Sequence, residues 1–188
     1  REEVAKMLKL GVIQPSKSPW GSLPVLARKA DGTTRFCVDY RGVNRVTKSD
    51  AMPIPRIDDT LAALQGATFF TTMDAMSGFW QVPMKESHIE KTAFLTIDGS
   101  FEYTRMPFGL RNAPACFQRL MNGILTGLAW QSCLVYIDDC TVFSKTFEDH
   151  LRDVNEVLVR FRRAGLTLKM SKCRFFVSEM EFLGHVVS

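Results

Sequence analysis

The stretch that constrains this chain most is LVYIDDCTVF, residues 134–143. Two adjacent acids, Asp138 and Asp139, stand between short apolar runs, with Leu134, Val135 and Ile137 before them and Val142 and Phe143 after. Apolar runs flanking a polar pair predict a tight β-hairpin with the acids at its tip. Side-by-side carboxylates repel, so a fold gains no stability by holding them on a strand turn. A divalent cation removes that cost. Asp is also a common turn residue, so the pair alone leaves an ordinary acidic turn open.

The remaining sequence supplies a framework for such a hairpin. TFFTTMDAM (68–76) reads as a β-branched and aromatic strand that delivers Asp74 at its end. Two further hairpins are predicted, over 23–40 with its turn at Asp31-Gly32 and over 92–105 with its turn at Asp98-Gly99. A last hairpin is expected at about 173–187. Helices are expected in four places. REEVAKMLKLG sets Val4, Met7 and Leu8 on one face and stops at Gly11. IDDTLAALQG sets Ile57, Leu61 and Leu64 on one side and closes at Gly66, after the Pro-punctuated MPIPR (52–56). Phe117, Leu120, Met121, Ile124, Leu125 and Leu128 recur at helical spacing. A helix over about 147–164 turns Leu151, Val154, Leu158 and Phe161 inward and stops at Gly165. QPSKSPWGSLP (14–24) and MPFGLRNAP (106–114) read as loops. Strands, hairpins and helices without regular βαβ alternation predict an α+β fold, with helices packed on antiparallel sheet.

Composition narrows the class. The 188 residues are 46% hydrophobic and 23% charged, enough for a sizeable core in one domain or two closely packed subdomains. No run approaches the ~20 apolar residues that cross a bilayer, and no signal peptide opens the chain. The sequence starts inside a helix and ends in strand-like FLGHVVS, the pattern of a piece of a longer polypeptide. Five cysteines without a CxxC pair predict buried thiols in a reducing compartment, rather than a disulfide framework or a zinc site. A net charge of +4 weakly favours a polyanionic partner. Its distribution says more, with acid-free basic residues at Arg160, Arg162, Arg163, Lys169, Lys172 and Arg174 and a second basic stretch over 28–48. Each cluster alone is equally a solvated surface.

Asp74 and the 138–139 pair share a setting, an acid where an apolar strand ends. If the two strands are neighbours, three carboxylates meet. Clustered acids at neutral pH need a cation or must take up protons. Oxygen-only ligands suit Mg²⁺ or Mn²⁺, and two such ions about 3.5–4 Å apart stabilise both oxygens of a phosphoryl displacement.

These residues belong to a series of segments in a recognisable order: SPWGSLPVLARKADGTTRFCVDYRGVN, TMDAMSGFWQVPM, MPFGLRNAPACFQRLMN, VYIDDCTVFS, LTLKMSKCRFF and FLGH. In these the chain resembles reverse transcriptases, most closely those of gypsy-class LTR retrotransposons, over essentially its whole length. The resemblance implies a polymerase right-hand fold, fingers at 1–49 and 82–112 and palm at 50–81 and 113–188, with no thumb in this stretch. It implies catalytic and metal-binding roles for Asp74, Asp138 and Asp139, with two Mg²⁺ ions. Tyr136 is then expected at the primer end and Ile137, with Ala75, at the incoming nucleotide. Arg35 matches the arginine that clamps the triphosphate, and Arg28 or Lys29 the basic residue near the γ-phosphate. Phe79 matches an aromatic gate under the sugar, although core packing is the usual fate of such a ring. Phe108 stands where lentiviral relatives carry Gln, which replaces a polar nucleotide contact with an apolar one. Lys172 matches a lysine near the metals, either a proton donor to pyrophosphate or, equally, a phosphate contact or a surface charge. Phe182, Leu183, Gly184 and His185 match the primer grip. His88 and His150 fall in no motif.

The implied function is reverse transcription, the addition of dNTPs to a primer 3′-hydroxyl on an RNA or DNA template. The implied neighbours are downstream thumb, connection and RNase H segments, with no membrane. The expected location is intracellular, in a cytoplasmic retroelement particle with access to the nucleus. Two other classes stay open, a non-catalytic copy that only binds nucleic acid and a different two-metal enzyme such as a nuclease.

Overall fold

The chain begins with helix α1 (Glu2–Lys9), strands β1 (Ile13–Pro15), β2 (Pro24–Arg28) and β3 (Thr34–Val38), and helices α2 (Arg41–Val46) and α3 (Ile57–Ala63). Strand β4 (Phe69–Asp74), helix α4 (Glu86–Ile89), strands β5 (Phe94–Thr96) and β6 (Gly99–Tyr103) and helix α5 (Ala113–Ile124) follow. The last part holds β7 (Cys133–Tyr136), β8 (Asp139–Ser144), α6 (Phe147–Arg163), β9 (Arg174–Val177), β10 (Met180–Phe182) and β11 (His185–Val187). The computed structural model describes all residues apart from Lys29, Ala30, Asp31, Thr33, Ile54, Asp138 and Leu183 and the side chains of Thr34 and Arg35. The expected turn of the 23–40 hairpin therefore lies largely outside the described residues. The elements divide into two units, residues 1–50 with 79–113, and residues 51–78 with 114–188. The mixture is α+β, as the sequence pattern predicts.

The first unit packs α1 against the antiparallel sheet β1-β6-β5, with the β2-β3 hairpin beside it. Val4, Met7, Ile13, Phe94, Phe101 and Tyr103 form its core. The loop reading of 14–24 is corrected at its start, where Ile13–Pro15 is a strand on Tyr103–Phe101. A Pro-rich segment passes this way because Pro15 stands at the strand's end, where a missing N–H interrupts no ladder. Leu8, expected inward, is 38% exposed, and α1 buries Val4 and Met7. The loop over 106–112 is tied down by two amides. Asn44 donates to Gly109 O at 2.8 Å and accepts from Arg111 N–H at 2.8 Å. Asn112 donates to Lys48 O and accepts from Asp50 N–H.

The second unit is built on the antiparallel sheet β7-β8-β4-β9. Along β4, successive side chains alternate faces. Phe70 joins Leu64, Leu134, Phe143, Met180 and Phe182 in a buried cluster on one face. Thr71 points the other way, to α6, where its hydroxyl meets His150 Nε2 at 2.8 Å. Helix α6 starts where the Thr146 hydroxyl accepts from Asp149 N–H. It turns His150, Val154, Val157 and Phe161 inward and leaves Leu151 53% exposed, which corrects the expected stripe by one position. In α3 the expected inward Ile57 is 40% exposed, while Thr60 and Leu64 are buried. The expected 173–187 hairpin is divided. Arg174–Val177 joins the sheet edge along β4, and only Met180–Phe182 and His185–Val187 pair as a hairpin. No cysteine is disulfide-bonded; Cys133 and Cys140 are buried, and the neighbouring Cys133 thiol, with burial, pushes the Cys140 thiol well above its usual range.

Candidate active site

The site starts from a register. In the β4–β8 ladder Phe70 stands opposite Phe143, Thr72 opposite Thr141 and Asp74 opposite Asp139. Phe70 and Asp74 share a face, so the same alternation that buries an aromatic at one end of β4 brings a carboxylate out at the other. Directly opposed side chains have Cβ atoms about 4.5–5.5 Å apart, and like charges so placed are destabilising. The fold therefore holds two acids together against their repulsion. Asp138 lies outside the described residues.

The hairpin reading of 134–143 holds, with β7 and β8 paired from Cys133↔Val142 to Tyr136↔Asp139. Ile137 is the first residue of its two-residue turn and has φ +58°. A β-branched residue there is a steric outlier and costs on the order of 1–3 kcal/mol. The turn is gripped from α5. Gln118 accepts from Ile137 N–H at 2.7 Å and donates to Val135 O at 3.1 Å.

Beyond Asp74 the chain is shadowed by residues 167–169. Lys169 N–H donates to Asp74 O, Met76 N–H donates to Thr167 O, and Ala75 bridges Leu168. This run leads into a single 3₁₀ turn, Met170–Lys172. The turn sends Lys172 Nζ to Asp74 Oδ2 at 2.9 Å. Thr72, Met73, Asp74, Asp139, Ser171, Lys172 and Arg174 line a hollow of about 370 Å³. The sequence-predicted Asp74, Asp139 and Lys172 thus meet in one place, and Arg174 is a neighbour that no motif singled out.

The donor chemistry of the hollow fits a hard divalent cation. Its acids are carboxylates, and among the described residues no His or Cys lines it. The Lys172 ammonium on Asp74 shows a cation already held at this carboxylate. Among the described residues no three His, Cys, Asp or Glu side chains form a cage; Asp74 and Asp139 are the two carboxylates that line the hollow.

Other expected site residues take different places. Phe79 is 8% exposed in a 3₁₀ turn (Gly78–Gln81) and stacks on Phe108, ring centroids 5.0 Å apart. Phe108 is 44% exposed and also meets the Trp80 ring edge-on. Ala75 is buried and Tyr136 half-buried against the second unit's core. Arg28 is exposed at the end of β2, opposite Thr34. Lys29, the Arg35 side chain and Leu183 lie outside the described residues. Phe182 is 5% exposed, Gly184 turns the β10–β11 hairpin with φ +81°, and His185 is exposed. Two members of the basic clusters are committed to local partners. Arg160 bonds Glu156 and the Thr126 carbonyl, and Arg41 clasps Asp39, whose carboxyl it holds down at about 2.

The sequence profile of the "Reverse transcriptase (RNA-dependent DNA polymerase)" family matches residues 27–187. The chain belongs to the reverse transcriptase family. This reverse transcriptase chain is 44% identical to the Retrovirus-related Pol polyprotein from transposon 297 of Drosophila melanogaster, over 99% of its own length and 18% of that protein. It is 39% identical to the corresponding polyprotein from transposon gypsy of the same organism, covering 99% of the chain and 19% of the relative. The chain therefore spans about a fifth of the curated relatives it matches. Among solved structures it resembles the foamy viral protease-reverse transcriptase in complex with RNA/DNA hybrid, with TM-score 0.90, 26% identity and 98% of this chain against 25% of that one. A second foamy viral structure, in complex with double-stranded DNA, gives TM-score 0.89 at 28% identity, covering 97% and 32%. The fold is thus that of a polymerase palm and fingers.

Three polar residues of this reverse transcriptase escaped the sequence reading. Gln118 sits inside an apolar helical stripe, where its type and spacing signal nothing. His150 is fully buried, with Nδ1 at 3.1 Å from Ser144 Oγ, and Ser144 in turn donates to Asp153. Asn44 reads as a surface polar residue of a short helix. In each case the partner is a main-chain or side-chain group distant in sequence.

Proposed function

We propose that this chain is the fingers and palm of an RNA-directed DNA polymerase that extends a primer along RNA or DNA by adding dNTPs. The observation that carries the reading is Asp74 in register with Asp139, in a chain of the reverse transcriptase family. The unit of residues 1–50 and 79–113 corresponds to the fingers and the other to the palm. Asp74, Asp138 and Asp139 would hold two Mg²⁺ ions, or Mn²⁺, which would supply Lewis-acid stabilisation of the attacking and leaving oxygens.

The primer 3′-hydroxyl attacks the α-phosphate in line, the bond to the bridging oxygen breaks, and pyrophosphate leaves. The protein's share is positioning and charge neutralisation. Lys172 contributes a cation and a proton donor at the leaving phosphates. Arg35 and Arg28 or Lys29 grip the triphosphate, where a guanidinium fork holds oxygens in pairs. Phe79, backed by Phe108, closes the space beneath the sugar against a 2′-hydroxyl, and Ala75 and Ile137 line the nucleotide. Tyr136 and the hairpin from Phe182 through Leu183 and Gly184 to His185 set the primer end, Phe182 by anchoring that hairpin in the core.

A primer–template partner is supported by the nucleic-acid complexes of the foamy viral relatives. Downstream thumb, connection and RNase H segments accord with the length of the polyprotein relatives. The retroelement reading places the protein in a cytoplasmic particle with access to the nucleus.

The test is primer extension on poly(rA)/oligo(dT) by this chain extended past Ser188. Mg²⁺-dependent extension is expected, and Asp74→Asn or Asp138→Asn should abolish it while the circular dichroism spectrum stays unchanged. Near-normal extension by folded Asp138→Asn refutes the two-metal assignment.

A further inference from the structure

The turn that carries the acids adopts a conformation its own sequence disfavours. Two-residue turns with positive φ at the first position favour Gly there, and this one has Ile137. Such a conformation persists only where the surroundings over-determine it. Among the described contacts, a side chain from α5 holds this main chain. Gln118 is 0% exposed, its Oε1 facing Ile137 N–H and its Nε2 facing Val135 O. Its Nε2 also donates to Asn122 Oδ1, one helical turn on. The amide has a single permitted orientation, because a backbone N–H only donates and a carbonyl only accepts. It therefore reads both ends of the turn's first half, and no apolar side chain of similar length can replace it.

We infer that Gln118 is a positioning residue. It locks the Ile137 peptide in the left-handed region and so fixes the turn that leads into Asp139, the first residue of β8. The inference rests on the catalytic reading of that acid, and acts through the turn rather than on substrate.

The experiment compares the extended chain with Gln118→Met, Gln118→Glu, Ile137→Gly and the double variant Gln118→Met/Ile137→Gly. Single-nucleotide addition gives kcat, primer–template titration gives Kd, and hydrogen exchange of the peptide containing Ile137 reports the clamp itself. Gln118→Met should lower kcat at least tenfold, leave Kd within twofold and speed exchange at Ile137. Gln118→Glu keeps the acceptor and should lose less. Gly accepts positive φ without strain, so in the Ile137→Gly background the same Met change should cost under threefold. The inference is overturned if Gln118→Met keeps kcat within twofold, or if its loss is equal in both backgrounds. Should Gln118→Met not fold, Gln118→Glu with and without Ile137→Gly decides by the same comparison. If the parent chain adds no nucleotide, the polymerase reading fails, and exchange at Ile137 alone decides. Unchanged exchange in the Gln118 variants then overturns the clamp.

Discussion

Lys172 occupies the carboxylate to which the proposed function assigns a metal ion, and removing it should have two opposite effects. Its ammonium is 2.9 Å from Asp74 Oδ2, with the two side chains 58% and 24% exposed. A pair so open to water contributes about 0–1 kcal/mol. Lys172→Met keeps most of the stem and removes the charge. The metal-free protein should then lose at most about 1 kcal/mol, roughly 2–4 °C in Tm for a domain of this size. A divalent ion binding Asp74 no longer competes with the ammonium, so its affinity should rise by at most about fivefold, the equivalent of that same 1 kcal/mol. Nucleotide addition should nevertheless fall, because the cation beside the leaving phosphates is gone. The assay is thermal denaturation across a Mg²⁺ or Mn²⁺ titration, since a ligand of the folded state stabilises by RT ln(1 + [L]/Kd). The difference between parent and variant should shrink in high salt, as exposed pairs are screened. A weaker metal midpoint in Lys172→Met, or one tightened more than tenfold, refutes the argument that this is a shallow, exchangeable counter-ion.

Two further outcomes are expected. Phe79→Val should raise ribonucleotide incorporation relative to deoxyribonucleotide, measured by competing rNTP and dNTP in primer extension; unchanged sugar discrimination with activity retained assigns the ring to core packing on Phe108. Burial holds His150 below its ordinary value of 6.5, partly opposed by Asp153, so the unfolded chain binds the extra proton first and stability should fall as pH drops below about 6.5. Tm measured from about pH 7 to 5 should decline less steeply in His150→Gln than in the parent, and equal slopes count against a buried neutral imidazole.

What the sequence made legible follows from local physics. The apolar and β-branched runs in TFFTTMD and LVYIDDCTVF are strong because consecutive residues of these strands are buried, and they point to the two strands whose register brings Asp74 opposite Asp139. Asp74, Asp139 and Lys172, which lie in three of the six ordered segments, line one hollow. The errors lie where a distant partner decides. Leu151 was the natural inward residue of α6 by hydrophobicity. His150 took that place because Thr71 and Ser144, on β4 and β8, offer both ring nitrogens a partner. Residues 174–177 read as a hairpin arm, yet they pair with the edge of β4, at Phe70↔Val177 and Thr72↔Arg174. Gln118 carries no periodic signal at all, since its purpose appears only once the turn it holds is formed.

These features explain how one small sheet keeps mutually repelling acids in place. At the buried ends of β4 and β8, Phe70 and Phe143 fix the register by packing on a common face. A slip of one residue would move every side chain to the opposite face, so Asp74 cannot drift from Asp139 without expelling Phe70 from the core. Behind β4, the Thr71 hydroxyl meets His150 and accepts from Phe176 N–H at 3.2 Å, which ties α6, β4 and β9 together on the side away from the acids. The repulsion is therefore opposed by packing on one face and by hydrogen bonds on the other, at positions within five residues of Asp74. At the turn after Tyr136 the fold adds Gln118 from α5. The acid on β4 is thus held by its strand, and the long side chain that meets it among the described contacts is the exposed Lys172.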